Sequence, residues 1–155
     1  MPENRAYPPE GLTPPAPYTL AELRSAMESR AVVEGVAQRC DAALNLSVQL
    51  GRISAIMPRE EATAPWISGA NREIAVLSRV GKPICCTVES IAADAKGAPL
   101  VTVSRRQAQE QAMDAMLESL RPGSVVAGRV VRMESFGAFV DICRGIVALQ
   151  PTAVS

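Results

Sequence analysis

Two stretches of this chain spell the same pattern 93 residues apart, and that repetition limits the possible folds more than any other feature. Val32-Val-Glu-Gly35 recurs as Val125-Val-Ala-Gly128, and Ile53-Ser-Ala-Ile-Met-Pro58 recurs as Ile146-Val-Ala-Leu-Gln-Pro151 at the same offset. The segment between them aligns best at 92, so the first copy has a loop one residue shorter. A repeat of this kind announces one structural unit built twice. The period within each copy is that of strands. Leu44, Leu46, Val48 and Leu50 alternate strictly in the first copy. In the second, Val126, Val130, Val140 and Ile142 share one face, while Arg129, Phe139 and Asp141 share the other.

Read in order, residues 1–18 hold six of the twelve prolines and little aliphatic content, which predicts a disordered leader. Thr19-Leu-Ala-Glu22 is a capping-box pattern and predicts a short helix over 19–30 that covers the first unit. Strands are expected over 31–40, 44–51, 52–57, 82–91 and 100–103, so the first unit runs from 31 to 106. Glu73–Leu77 fits helix or strand equally well. Ser104 to Gln107 opens a connecting helix, assigned to 107–122, that Arg121-Pro-Gly123 stops. The second unit then starts at 123. It holds 31 residues from Val125 to Ser155, against 75 from Val32 to Arg106. The expectation is therefore a truncated second unit without fourth and fifth strands, in a chain that is a piece of a longer protein.

The residues Gly128-x-Val130, then Phe136-Gly-Ala-Phe-Val-Asp141, then Gly145-Ile-x-Ala-Leu149 resemble the opening of the RNA-binding repeat of bacterial ribosomal protein S-one. The first copy resembles the closing part of that repeat through Val80-Gly81, the Asp94 to Gly97 turn, and Val103-Ser104-Arg105-Arg106. The resemblance implies a mainly β fold, a five-stranded OB-type barrel with flanking helices and a second barrel of the same type, incomplete at its C-terminal end. One departure is the Gln150-Pro151 pair, where the family often carries a histidine.

The resemblance also implies single-stranded RNA, messenger or ribosomal, as the partner. Phe136 and Phe139 would stack on bases, and Arg129, Arg132 and Arg144 would meet phosphates. Asp141 would accept a base or 2′-hydroxyl donor. The first copy lacks this surface, because Leu44 and Ser47 stand where the second has Phe136 and Phe139, and its outward residues are Asn45, Ser47 and Gln49. It is expected to dock or stabilise, with Trp66 buried. A competing reading makes the chain a protein-interaction module that docks on a ribosomal protein or a processing enzyme.

Composition removes other classes. Basic and acidic residues balance at 16 each, so phosphate neutralisation alone cannot drive tight RNA binding. Histidine is absent, which removes histidine-based general bases, triads and zinc sites. Neither a phosphate loop nor a metal-ligand cluster is present in the sequence, so no catalytic residue, cofactor, metal or small-molecule substrate is expected. Cys85 and Cys86 are adjacent on a strand and, with Cys40 and Cys143, read as inert thiols of a cytoplasmic protein with no membrane span.

Overall fold

The computed structural model describes residues 9–11, 17–63, 70–119, 128–135, 137–144 and 146–151. Trp66 and Phe136 lie outside these residues.

Five strands close into a barrel: β1 (Val32–Cys40), β2 (Leu46–Leu50), β3 (Ile53–Met57), β4 (Pro83–Ala93) and β5 (Pro99–Ser104). Their order round the wall is β1-β2-β3-β5-β4, with β4 returning to β1. Every neighbouring pair is antiparallel except β3 and β5, which run parallel with Ala55 opposite Val101. The expected alternation is met through Leu46, Val48 and Leu50, which all point into a sealed interior, while Leu44 stands before the strand with a φ of 68°. The inward residues of β2 meet Val33, Ala37, Ala55, Met57, Ile84, Cys86, Val88, Val101 and Val103 there. Closure leaves this sheet no free edge along those pairs.

Two aspartates make the turns. Asp41 Oδ1 accepts the backbone N–H of Ala43 and of Asn45, both at 2.9 Å. Asp94 Oδ1 does the same for Lys96 at 2.8 Å and Ala98 at 2.9 Å, with Gly97 supplying the positive φ that turn requires. Helix α1 (Leu20–Ser29) lies over the barrel with Leu23 and Ala26 buried. Its capping box is complete: the Glu22 N–H donates to Thr19 Oγ1 at 3.2 Å, and the Thr19 N–H donates to Glu22 Oε1 at 3.0 Å. Thr19→Ala is expected to cost about 1 kcal/mol, read as a lower urea midpoint with an unchanged slope.

A 3-10 turn at Arg59–Glu61 follows β3, and the undecided stretch near Glu73 is helical, in α2 (Ala70–Leu77). Among the described side chains of α2 Val76 is fully buried, while Glu73, Ile74 and Leu77 face outward. Helix α3 (Arg105–Ser119) continues directly from β5. Ser104 caps it by accepting the Gln107 N–H at 3.0 Å. Among its described apolar residues Ala108 and Ala112 are fully buried, and Leu117 is exposed. Three more strands, β6 (Arg129–Glu134), β7 (Gly137–Cys143) and β8 (Ile146–Pro151), form a separate antiparallel sheet in that order.

Residues 9–11 correct the expectation of a disordered leader. Pro9 and Glu10 are buried, because the Glu10 carboxylate is drawn between arginines of the first unit.

Candidate nucleic-acid interface

The second sheet repeats the first three strands of the barrel pair by pair. Val36, Ala37, Arg39 and Cys40 stand opposite Gln49, Val48, Ser47 and Leu46. At the sequence offsets of 93 and 92, Arg129, Val130, Arg132 and Met133 stand opposite Asp141, Val140, Phe139 and Ala138. Even the irregularity recurs, after Ala37 in one sheet and after Val130 in the other. The β7–β8 ladder likewise copies β2–β3, with Ala138, Phe139, Val140 and Asp141 opposite Gln150, Leu149, Ala148 and Val147. A one-residue slip would exchange the two faces, so agreement along both ladders means that the faces correspond too.

The register places positions 129, 139 and 141 on one face, as the alternation predicts, and the irregularity after Val130 brings position 132 to the same face. Asp141, however, is only 2% exposed, and Arg144 is also buried. Both were expected at an open RNA-facing surface. The cause is that this part of the face is turned toward Pro9–Gly11 and α3. Asp141 Oδ2 accepts the Glu10 N–H at 3.0 Å. Arg144 donates from Nη1 to the Ala108 carbonyl at 3.0 Å and to Gln111 Oε1 at 3.1 Å. Its own carbonyl accepts from Gln109 Nε2 at 3.1 Å and from the Cys85 thiol at 3.6 Å. Arg144 has a positive φ of 43° in the two-residue β7–β8 loop, where the β2–β3 loop has Gly51 at 67°. An arginine in this left-handed conformation is held there by its bonds to α3.

Beneath Asp141 lies an ion cluster that sequence reasoning missed. The Glu10 carboxylate accepts from Arg105 Nη2 at 2.7 Å and Nε at 2.9 Å, and from the Cys85 N–H at 2.8 Å, with Arg79 Nη2 3.4 Å away. Burial by itself pushes the carboxyl up, but Arg105, Arg79 and the Cys85 N–H overcome it and hold the group at about 2. Arg105 is correspondingly held in its charged form by Glu10 against its own burial. Nothing in the leader signals this, because the partners lie 75 and 95 residues away.

Cys86 faces the barrel interior, and Cys85 faces the opposite way against Glu10 and Arg144. Burial pushes both well up from the ordinary thiol range. No group of three or more metal-ligating side chains occurs among the described residues, and no helix there is long and apolar enough to cross a membrane.

On the first barrel the outward Gln49 of β2 is tied to the neighbouring loop and strand. Gln49 Nε2 donates to the Gly51 carbonyl at 2.7 Å, and Ser54 Oγ donates to Gln49 Oε1 at 3.0 Å. Ser47 stands where the second sheet has Phe139. Comparison with known proteins finds no family model and no curated relative that matches this chain.

Proposed function

We propose that this chain is a non-catalytic RNA-binding protein: an OB-type barrel followed by the front of a second barrel of the same type, which takes single-stranded RNA. The observation that carries the reading is the shared register of the two sheets, because it converts a sequence repeat into a repeated three-strand unit. The barrel order β1-β2-β3-β5-β4, its parallel β3–β5 pair and the helical segment between β3 and β4 are the features of an OB barrel, a fold that binds oligonucleotides on its second and third strands.

On this reading Phe139, on the second strand of the second unit, stacks on a base, and Phe136, three residues earlier in the sequence, stacks on the next. Arg129 and Arg132 share the Phe139 face by register and meet phosphates. Asp141 and Arg144 leave the contact set and act instead as struts that fix the sheet to Glu10 and α3. Two stacked bases with one or two phosphate contacts support micromolar affinity at best. The first barrel, whose equivalent face is polar and internally bonded, serves as the support.

Fluorescence anisotropy with single-stranded RNA tests this. Phe139→Ala is expected to weaken binding at least fivefold, about 1 kcal/mol of lost stacking, while Ser47→Ala leaves affinity unchanged. Equal affinity for Phe139→Ala and the parent chain would remove the stacking mechanism.

A further inference from the structure

The pocket that the Glu10 carboxylate fills is made by the first unit. Arg105 opens α3, Arg79 follows α2, and Cys85 lies on β4. Four nitrogens converge on the two carboxylate oxygens: Arg105 Nη2 and Arg79 Nη2 on Oε1, Arg105 Nε and the Cys85 amide on Oε2. A guanidinium fork, a second guanidinium and a backbone amide bind phosphate oxygens as readily as carboxylate ones. The carboxylate also leaves a donor over. Arg79 Nε is buried and has no hydrogen-bond partner among the described residues. An oxyanion with a third oxygen has an acceptor to offer it. Charge agrees with this. Arg79, Arg105 and Arg144 balance Glu10, Asp141 and Glu34 around the pocket, so withdrawal of Glu10 leaves a positive excess.

We propose that the Arg79–Arg105–Cys85 pocket is a phosphate site and that Glu10 is its built-in substitute, closing it until a phosphate group displaces the carboxylate. The pocket lies beneath Asp141, which stands opposite Arg129 across the β6–β7 ladder, on the face that carries Phe139. An RNA backbone running from Phe139 past Arg129 leads to it. Departure of Glu10 also frees Asp141 from the Glu10 N–H, so the closed segment masks the pocket and that end of the face together. The assignment of the phosphate to RNA rests on the function proposed above. The site itself does not, because free phosphate has the same chemistry.

Thermal midpoints of Glu10→Ala and of the parent chain, in phosphate and in chloride at equal ionic strength, test the site. The substitution removes a methylene and a carboxylate and so vacates room for a phosphate group. Phosphate is expected to raise the midpoint of Glu10→Ala saturably, by about 4 °C more than that of the parent. Adding Arg79→Leu to Glu10→Ala is expected to abolish the extra rise. If Glu10→Ala does not fold in chloride, Glu10→Gln takes its place, since it keeps the shape and loses the charge. Equal rises in variant and parent, or an extra rise that survives the loss of Arg79, would overturn the site. Anisotropy with single-stranded RNA then assigns the source. An RNA phosphate requires at least tenfold tighter binding by the Glu10 variant than by the parent, with log K falling more steeply against log salt by about 0.7. A phosphate response without that gain assigns the pocket to free phosphate and leaves the Phe139 face as it was. If neither chain binds RNA, the RNA reading falls and the phosphate response still decides the site.

Discussion

Arg105→Ala is expected to destabilise the chain by about 3–5 kcal/mol, the cost of leaving a buried charge without its partner. Removing the guanidinium strands the Glu10 carboxylate among Cys85, Asp141 and Arg79, with only Arg79 left to neutralise it. It also frees the Ala62 carbonyl, which accepts from Arg105 Nη1 at 3.1 Å. Arg105→Met with Glu10→Met removes both charges and is expected to recover much of the loss, because two apolar side chains of similar length leave no bare ion. Chemical denaturation of the three proteins checks this. If Arg105→Ala alone matched the parent, the cluster would have no structural weight.

The same cluster sets an acid limit. Glu10 stands at about 2 in the folded chain against 4.5 as its ordinary value. A lowered folded pKa means that its contribution is complete above about pH 4.5 and is lost as pH falls toward 2, on the order of 3 kcal/mol in all. Glu34 works in the opposite direction. Its own burial first, then Glu10 and Asp141, push it up against a backbone hydrogen bond from Gly11, so its contribution fades as pH rises through its folded value. Thermal midpoints taken from pH 6 down to pH 2 should therefore fall most steeply below pH 4.5, and that extra fall should vanish in the double methionine variant.

Gly35→Ala is expected to cost about 3 kcal/mol, the upper end of what overpacking a core imposes. A Cβ at position 35 would sit 2.4 Å from the Gln49 carbonyl oxygen and 2.8 Å from Leu50 Cδ2. The first of these is backbone in the neighbouring strand, so it cannot swing aside, and β1 and β2 must separate. Gly97→Ala is the useful contrast. Open space surrounds Gly97, and only its φ of 83° opposes a side chain, so about 1 kcal/mol is expected there. Urea midpoints of the two variants separate crowding from backbone conformation, and a Gly97→Ala loss as large as that of Gly35→Ala would show that crowding is not the cause.

Much of the barrel was legible because its signals are local. The alternation through Leu46, Val48 and Leu50 marks the inner face of β2, and Thr19 with Glu22 marks the start of α1. The two copies of Val-x-Gly at 33–35 and 126–128 mark a repeated unit, and the first of these glycines is where two strands come too close for a side chain. What was not legible depends on partners distant in sequence. Alternation placed Arg129, Phe139 and Asp141 on one face, but could not say that Asp141 would be covered, since its cover arrives from Glu10, 131 residues earlier. Arg144 resembled any surface arginine until α3 stood beside it. Glu73–Leu77 was ambiguous because four or five residues are too few to separate the helical period from the strand period.

The path of Glu10 has a consequence for how the chain assembles during synthesis. Its carboxylate belongs to Arg105 and its amide to Asp141, so Glu10 waits for partners synthesised 95 and 131 residues after it. Until Asp141 emerges, nascent chains can neutralise Arg105 but not finish the seal. A nascent chain from which position 119 but not 141 has left the exit tunnel should thus present a folded barrel with the segment around Glu10 half fastened, and protease cutting near Gly11 should slow in two steps as elongation resumes.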